Sequence, residues 1–123
     1  MRVLIIDDEP SLSALAAEYF KLSGHEPVAC ADGESALELL RRDAAFDVIV
    51  LDKRLPGLSG IDTFKALKAD PRLRDIPVIV LSASVAPGAV AEGLAEADLH
   101  LAKPFHPKEL AAAAARLAAG KKS

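Results

Sequence analysis

The chain has 123 residues, 51% hydrophobic and 27% charged, which fits one compact domain with a real core and excludes a fibrous or disordered polymer. A net charge of −3 and a pI near 5.6 weigh against a nucleic-acid face, since binding a phosphate backbone requires clustered Lys and Arg. A single cysteine excludes an internal disulfide. No run reaches the ~18 apolar residues of a membrane span, and Arg2 followed by four apolar residues is too short for a signal peptide, so a soluble cytoplasmic protein is expected.

The first apolar run, residues 3–6, ends on Asp7-Asp8. Helical spacing follows over 12–22, with Pro10 where a first-turn proline is tolerated. Leu12, Leu15, Ala16, Tyr19 and Leu22 repeat on one face, which is predicted to be buried, and Gly24 ends the helix. Residues 27–30 form a shorter, more polar strand in which Cys30 reads as a small buried thiol. Asp32 is placed to cap a second helix over 34–40. The run 48–51 then ends on Asp52.

Pro56-Gly57 and Ser59-Gly60 mark a loop before a helix over 61–67, and Asp70-Pro71 with Ile76-Pro77 mark the approach to a strand over 78–81. Ser82 follows that strand. Residues 88–97 carry a fourth helical pattern, but Pro87-Gly88 and Gly93 predict that it is short or marginal, since a helix-interior glycine costs about 1 kcal/mol. A fifth strand over 99–102 leads to Lys103, and an alanine-rich helix over 107–117 is predicted to pack tightly on the sheet.

Five strand-helix pairs predict an open α/β fold with a parallel sheet and right-handed crossovers, occupying residues 1–123 as one domain. The first, third and fourth runs are nearly continuous Val, Ile and Leu, as expected when both faces are covered; the second and fifth belong at the edges. Ligands of such sheets bind beyond the carboxyl ends of the strands, where Asp7, Asp8, Asp52, Ser82 and Lys103 all fall. Two carboxylates about 4 Å apart repel by roughly 4 kcal/mol at an effective dielectric near 20, so three gathered at one edge predict a divalent cation. The Gly57 to Gly60 turn lacks the spacing of nucleotide-binding loops, and a turn is a sufficient reading.

Asp7-Asp8, the run ending in Asp52, Leu55-Pro56-Gly57-Leu58-Ser59-Gly60, Leu81-Ser82-Ala83 and Lys103-Pro104-Phe105 together resemble the motif set of two-component response-regulator receiver domains. The resemblance spans the chain in the right order. It implies a flavodoxin-like doubly wound sheet of strand order 2-1-3-4-5, with Asp52 accepting a phosphoryl group from a phosphohistidine on a sensor kinase or histidine phosphotransfer protein. It further implies Mg²⁺ held by Asp8 and Asp52 directly, by Asp7 largely through water, and by the backbone carbonyl of Arg54. Lys103 would pair with Asp52 and then with the phosphoryl group, its direction fixed by Pro104, and Ser82 would donate a hydroxyl to a phosphoryl oxygen.

The chain departs from the family at several places. His100 stands where receivers commonly place Tyr or Phe; it is expected to act with Ser82 as the switch pair, although it is more polar and titrates nearer neutrality. Lys53 replaces a usually apolar residue, Arg54 and Ser84 occupy positions resembling those that tune phosphoryl lifetime, and the stretch 83–98 lacks the usual Gly-Ala pair. The expected output is a surface over residues 84–117, built from the fourth helix, fifth strand and fifth helix, that binds a downstream protein. An aspartyl phosphohydrolase would share the metal site but carries Asp-x-Asp, where this chain has Asp52-Lys53-Arg54. The remaining alternative is a phosphorylation-independent interaction module. The expected chemistry is therefore that of a signalling domain which catalyses only its own aspartyl phosphorylation and dephosphorylation.

Overall fold

In a computed structural model of the chain, residues 1–52, 60–82, 99–102 and 106–121 are described. Their order is β1 (Arg2–Ile6), α1 (Pro10–Leu22), β2 (Glu26–Cys30), α2 (Gly33–Arg42), β3 (Val48–Asp52), α3 (Gly60–Ala69), β4 (Val78–Ser82), β5 (Leu99–Ala102) and α4 (Pro107–Lys121). All five strands pair in parallel in the order β2-β1-β3-β4-β5. The continuous Val, Ile and Leu runs therefore take the three inner positions, as their composition predicts, and the two more polar runs take the edges.

Period-two alternation divides the core between the faces of the sheet. Leu4, Ile6, Ile49, Leu51 and Val80 pack with Ala36 and Leu40 of α2 and Phe64 and Leu67 of α3. Val3, Ile5, Val48, Val50 and Ile79 pack with Ala16 and Phe20 of α1 and Leu110 and Ala114 of α4. Helices thus cover both faces. The alanines of α4 lie close against the sheet: Ala111, Ala113, Ala114 and Ala118 are all buried, in agreement with the tight packing expected of small side chains.

Both caps read from the sequence are present. Asp32 accepts a 2.7 Å bond from the Ser35 N–H at the start of α2, which also holds its carboxyl below the usual range. Gly24, at φ +85°, follows the Ser23 cap of α1. Its N–H donates to Lys21 and that of His25 to Phe20, the paired bonds of a Schellman motif, and the rings of Phe20 and His25 meet edge-to-face at 6.2 Å.

The buried face of α1 is a correction. Its inward residues are Ser13, Ala16 and Phe20, whereas Leu15 is 52% and Leu22 81% exposed. Of the predicted stripe only Ala16 is buried, with Leu12 and Tyr19 halfway. Both sets recur at helical spacing, and the one that faces inward packs Phe20 and Ala16 against Val3, Ile5, Val48 and Val50. The fourth helical pattern, 88–97, lies outside the described residues. Among the described residues, no helix is long and apolar enough to cross a membrane.

Candidate metal centre

The register of the central strands carries two acids to one level. Ile6 of β1 pairs with Leu51 of β3, so the next residues, Asp7 and Asp52, stand side by side at the carboxyl edge. Asp8 follows Asp7 before α1 begins. One carboxylate oxygen from each of Asp7, Asp8 and Asp52 can be chosen such that all lie within 4.8 Å of one another. Asp7 and Asp52 are almost wholly buried, at 3% and 4% exposure, and Asp8 is open to solvent.

Such crowding opposes folding unless a positive charge offsets it, since each like-charge pair at this separation costs from about 1 kcal/mol in water to roughly 4 at an effective dielectric of 20. The donor set is oxygen only, which suits a hard divalent cation better than zinc or copper. One open acid beside two buried ones leaves such an ion a route from solvent.

The backbone around Asp7 is firmly tied. Its N–H donates to the carbonyl of Cys30 at 3.0 Å, anchoring the turn to β2, and its Oδ1 accepts the N–H of Glu9 at 2.9 Å. A cleft of about 300 Å³ opens beside the acids, lined by Asp7, Asp8, Pro10, Ser13, Ala29 and Cys30. Cys30 is half-buried rather than fully enclosed, and burial, reinforced by the Asp32 charge, pushes its thiol above the usual range. That suits an inert thiol. Glu9 and Ser13 carry no motif that would have singled them out.

Of the other expected site residues, Ser82 and His100 can be placed by backbone alone. Asp52 pairs with Leu81, so Ser82 lies one position further along β4, paired with Ala102, while His100 pairs with Val80. Their side chains lie outside the described residues, as do Lys53, Arg54, Ser84, Lys103 and Pro104.

A family model for the response regulator receiver domain matches residues 3–115. The chain belongs to that family. This receiver is similar to the phosphate regulon transcriptional regulatory protein PhoB of Escherichia coli, 38% identical over 112 residues, and to the DNA-binding response regulator MtrA of Mycolicibacterium smegmatis, 37% identical. Those matches cover 90% of this chain but 48% and 47% of the relatives, so the chain spans about half the length of the curated relatives it matches. The receiver domain of a Francisella response regulator superposes with a TM-score of 0.85 at 33% identity, over 96% of both chains. That of a Pseudomonas aeruginosa sensor histidine kinase superposes at 0.86 and 28% identity, over 96% of this chain and 97% of that one; it was crystallised with magnesium coordinated in the active-site cleft. The receiver fold and its signalling family are thereby fixed for this chain.

Proposed function

We propose that the chain is a phosphorylation switch, a single domain over residues 1–123, in which Asp52 accepts a phosphoryl group from a phosphohistidine of a sensor kinase or histidine phosphotransfer protein. The observation that carries this reading is the convergence of Asp7, Asp8 and Asp52 within 4.8 Å at the carboxyl edge of a receiver sheet. Mg²⁺ would suit that oxygen set, with Asp7, Asp8, Asp52 and, as the family resemblance implies, the Arg54 carbonyl as the groups that would hold it. When bound it would neutralise charge on the phosphoryl oxygens.

In the transfer, an Asp52 carboxylate oxygen attacks phosphorus, the phosphorus–nitrogen bond breaks, and the departing imidazole takes a proton from solvent. Lys103 would offset the added charge, and Ser82 would donate to a phosphoryl oxygen. Movement of Ser82 and His100 would then change the 84–117 surface and its affinity for a downstream protein. Reversing a 1:99 equilibrium to 99:1 would require phosphorylation to favour the active state by about 5.5 kcal/mol. The reading places the protein in the cytoplasm, acting on protein partners without direct nucleic-acid contact and turning over no substrate beyond its own aspartyl phosphate.

Intact mass after incubation with Mg²⁺ and a small phosphodonor tests it. The parent gains one phosphoryl group and Asp52→Asn does not. Equal modification of both removes Asp52 as acceptor, and a partner affinity unchanged by phosphorylation and by Asp52→Asn would favour the phosphorylation-independent module.

A further inference from the structure

Ser13 stands out as a polar residue turned into an apolar face. It is 8% exposed and shares the inward side of α1 with Ala16 and Phe20. Alanine would be the better helix former there and would bury no hydroxyl. A helical serine commonly returns its hydroxyl to a carbonyl four residues back. Ser13 instead reaches six residues back, out of the helix, and donates to the backbone carbonyl of Asp7 at 3.4 Å.

That bond closes a circuit. The Glu9 N–H donates to Asp7 Oδ1 at 2.9 Å, the Ser13 N–H donates to the Glu9 carbonyl at 3.0 Å, and the Ser13 hydroxyl returns to the Asp7 carbonyl. Asp7 is therefore held through its carboxylate by the N-cap Glu9 and through its N–H by Cys30, with the longer Ser13 bond added at its carbonyl. The Asp7 carbonyl belongs to the peptide plane that leads into Asp8. Fixing that plane limits ψ of Asp7 and φ of Asp8, and so narrows the directions in which both side chains can leave the backbone.

We propose that Ser13 is a positioning residue for the Asp7-Asp8 pair: its hydroxyl holds the turn in the geometry that lets both carboxylates face the same cation. The inference rests on reading the acid cluster as a divalent-cation site. Partners that orient metal ligands without touching the metal typically govern about a tenfold or larger share of affinity.

Calorimetric titration of Mg²⁺ into the parent, Ser13→Ala and Ser13→Thr separates the hydroxyl from the volume of the side chain. Ser13→Ala is expected to weaken Mg²⁺ binding about tenfold while melting close to the parent, and at saturating Mg²⁺ to reach the parent's extent of phosphorylation. Ser13→Thr, which keeps the hydroxyl, should stay within about twofold of the parent. Binding by Ser13→Ala within twofold of the parent, equal weakening in both variants, or failure of Ser13→Ala to fold overturns the positioning role. A parent that binds no Mg²⁺ overturns the cation reading and this inference together, whereas a parent that binds beside an unchanged Ser13→Ala overturns only the inference.

Discussion

At the amino edge of the sheet the acids gather around an arginine, whereas at the carboxyl edge they gather around one another. Arg2 makes a two-pronged contact with Asp43 at 3.0 and 2.9 Å, donates to the Ala45 carbonyl at 2.8 Å, and places its guanidinium 4.4 Å from the centre of the Phe46 ring. Its backbone N–H donates to Asp47 and Glu26 lies 3.8 Å away. Asp7, Asp8 and Asp52 instead converge within 4.8 Å of each other. The cation of the first edge is covalently part of the chain, whereas the second also offers an oxygen set that could take one from solution. One arrangement holds the fold, and the other leaves a place whose occupancy can change.

The sharpest way to break this contrast is to remove an acid from the carboxyl edge. Asp8→Asn is expected to weaken Mg²⁺ at least about tenfold and to lose most of the cation-dependent rise in melting temperature, because stabilisation by a ligand follows RT ln(1 + [L]/Kd). Without divalent ions the same variant should be no less stable than the parent, since it has shed a like charge. Thermal melts across a Mg²⁺ series check both halves, and a clear loss of cation-free stability would sink the contrast.

Arg2→Met sharpens it from the other side. The melting temperature should fall by a few degrees at neutral pH while Mg²⁺ affinity stays at the parent value. Arg2 holds the Asp43 carboxyl below the usual carboxylate range, chiefly through their hydrogen bond. That contribution is complete above the ordinary carboxylate pKa and is lost as the pH falls through the depressed folded value, so the gap between parent and variant should close on acidification. Melts followed by circular dichroism from neutral to strongly acidic pH would show it. A gap that widens in acid contradicts the assignment.

The smallest effect is expected at Gly24. A side chain there meets nothing within 4 Å, so the cost of Gly24→Ala is that of holding a non-glycine residue at φ +85°, about 1 kcal/mol. Urea denaturation should register it with the slope and the Mg²⁺ affinity unchanged.

Much of this arrangement is legible in the residues. Apolar runs end on acids at the sheet edge, an aspartate precedes α2, and a glycine follows α1; each has a local physical meaning that packing did not override. The rotation of α1 was not legible, because Leu12, Leu15, Tyr19 and Leu22 make a more hydrophobic stripe than Ser13, Ala16 and Phe20. The winning face packs Ala16 and Phe20 into the core and carries the bonds at the helix ends, from Ser13 to Asp7 and from His25 to Phe20, which periodicity does not encode. The Arg2 contacts were hidden for a different reason. Asp43 and Ala45 lie more than forty residues along the chain, so only the finished β1–β3 pairing brings them to Arg2.

The bond from Asp7 to the Cys30 carbonyl joins the buried acid to the outermost strand on its side of the sheet. Border strands fray before interior ones, so the first peeling of that ribbon frees one of the ties on Asp7 while β1 and β3 are still zipped together. Loosening at the periphery is thus felt directly at the acid cluster, with no need for the centre to yield.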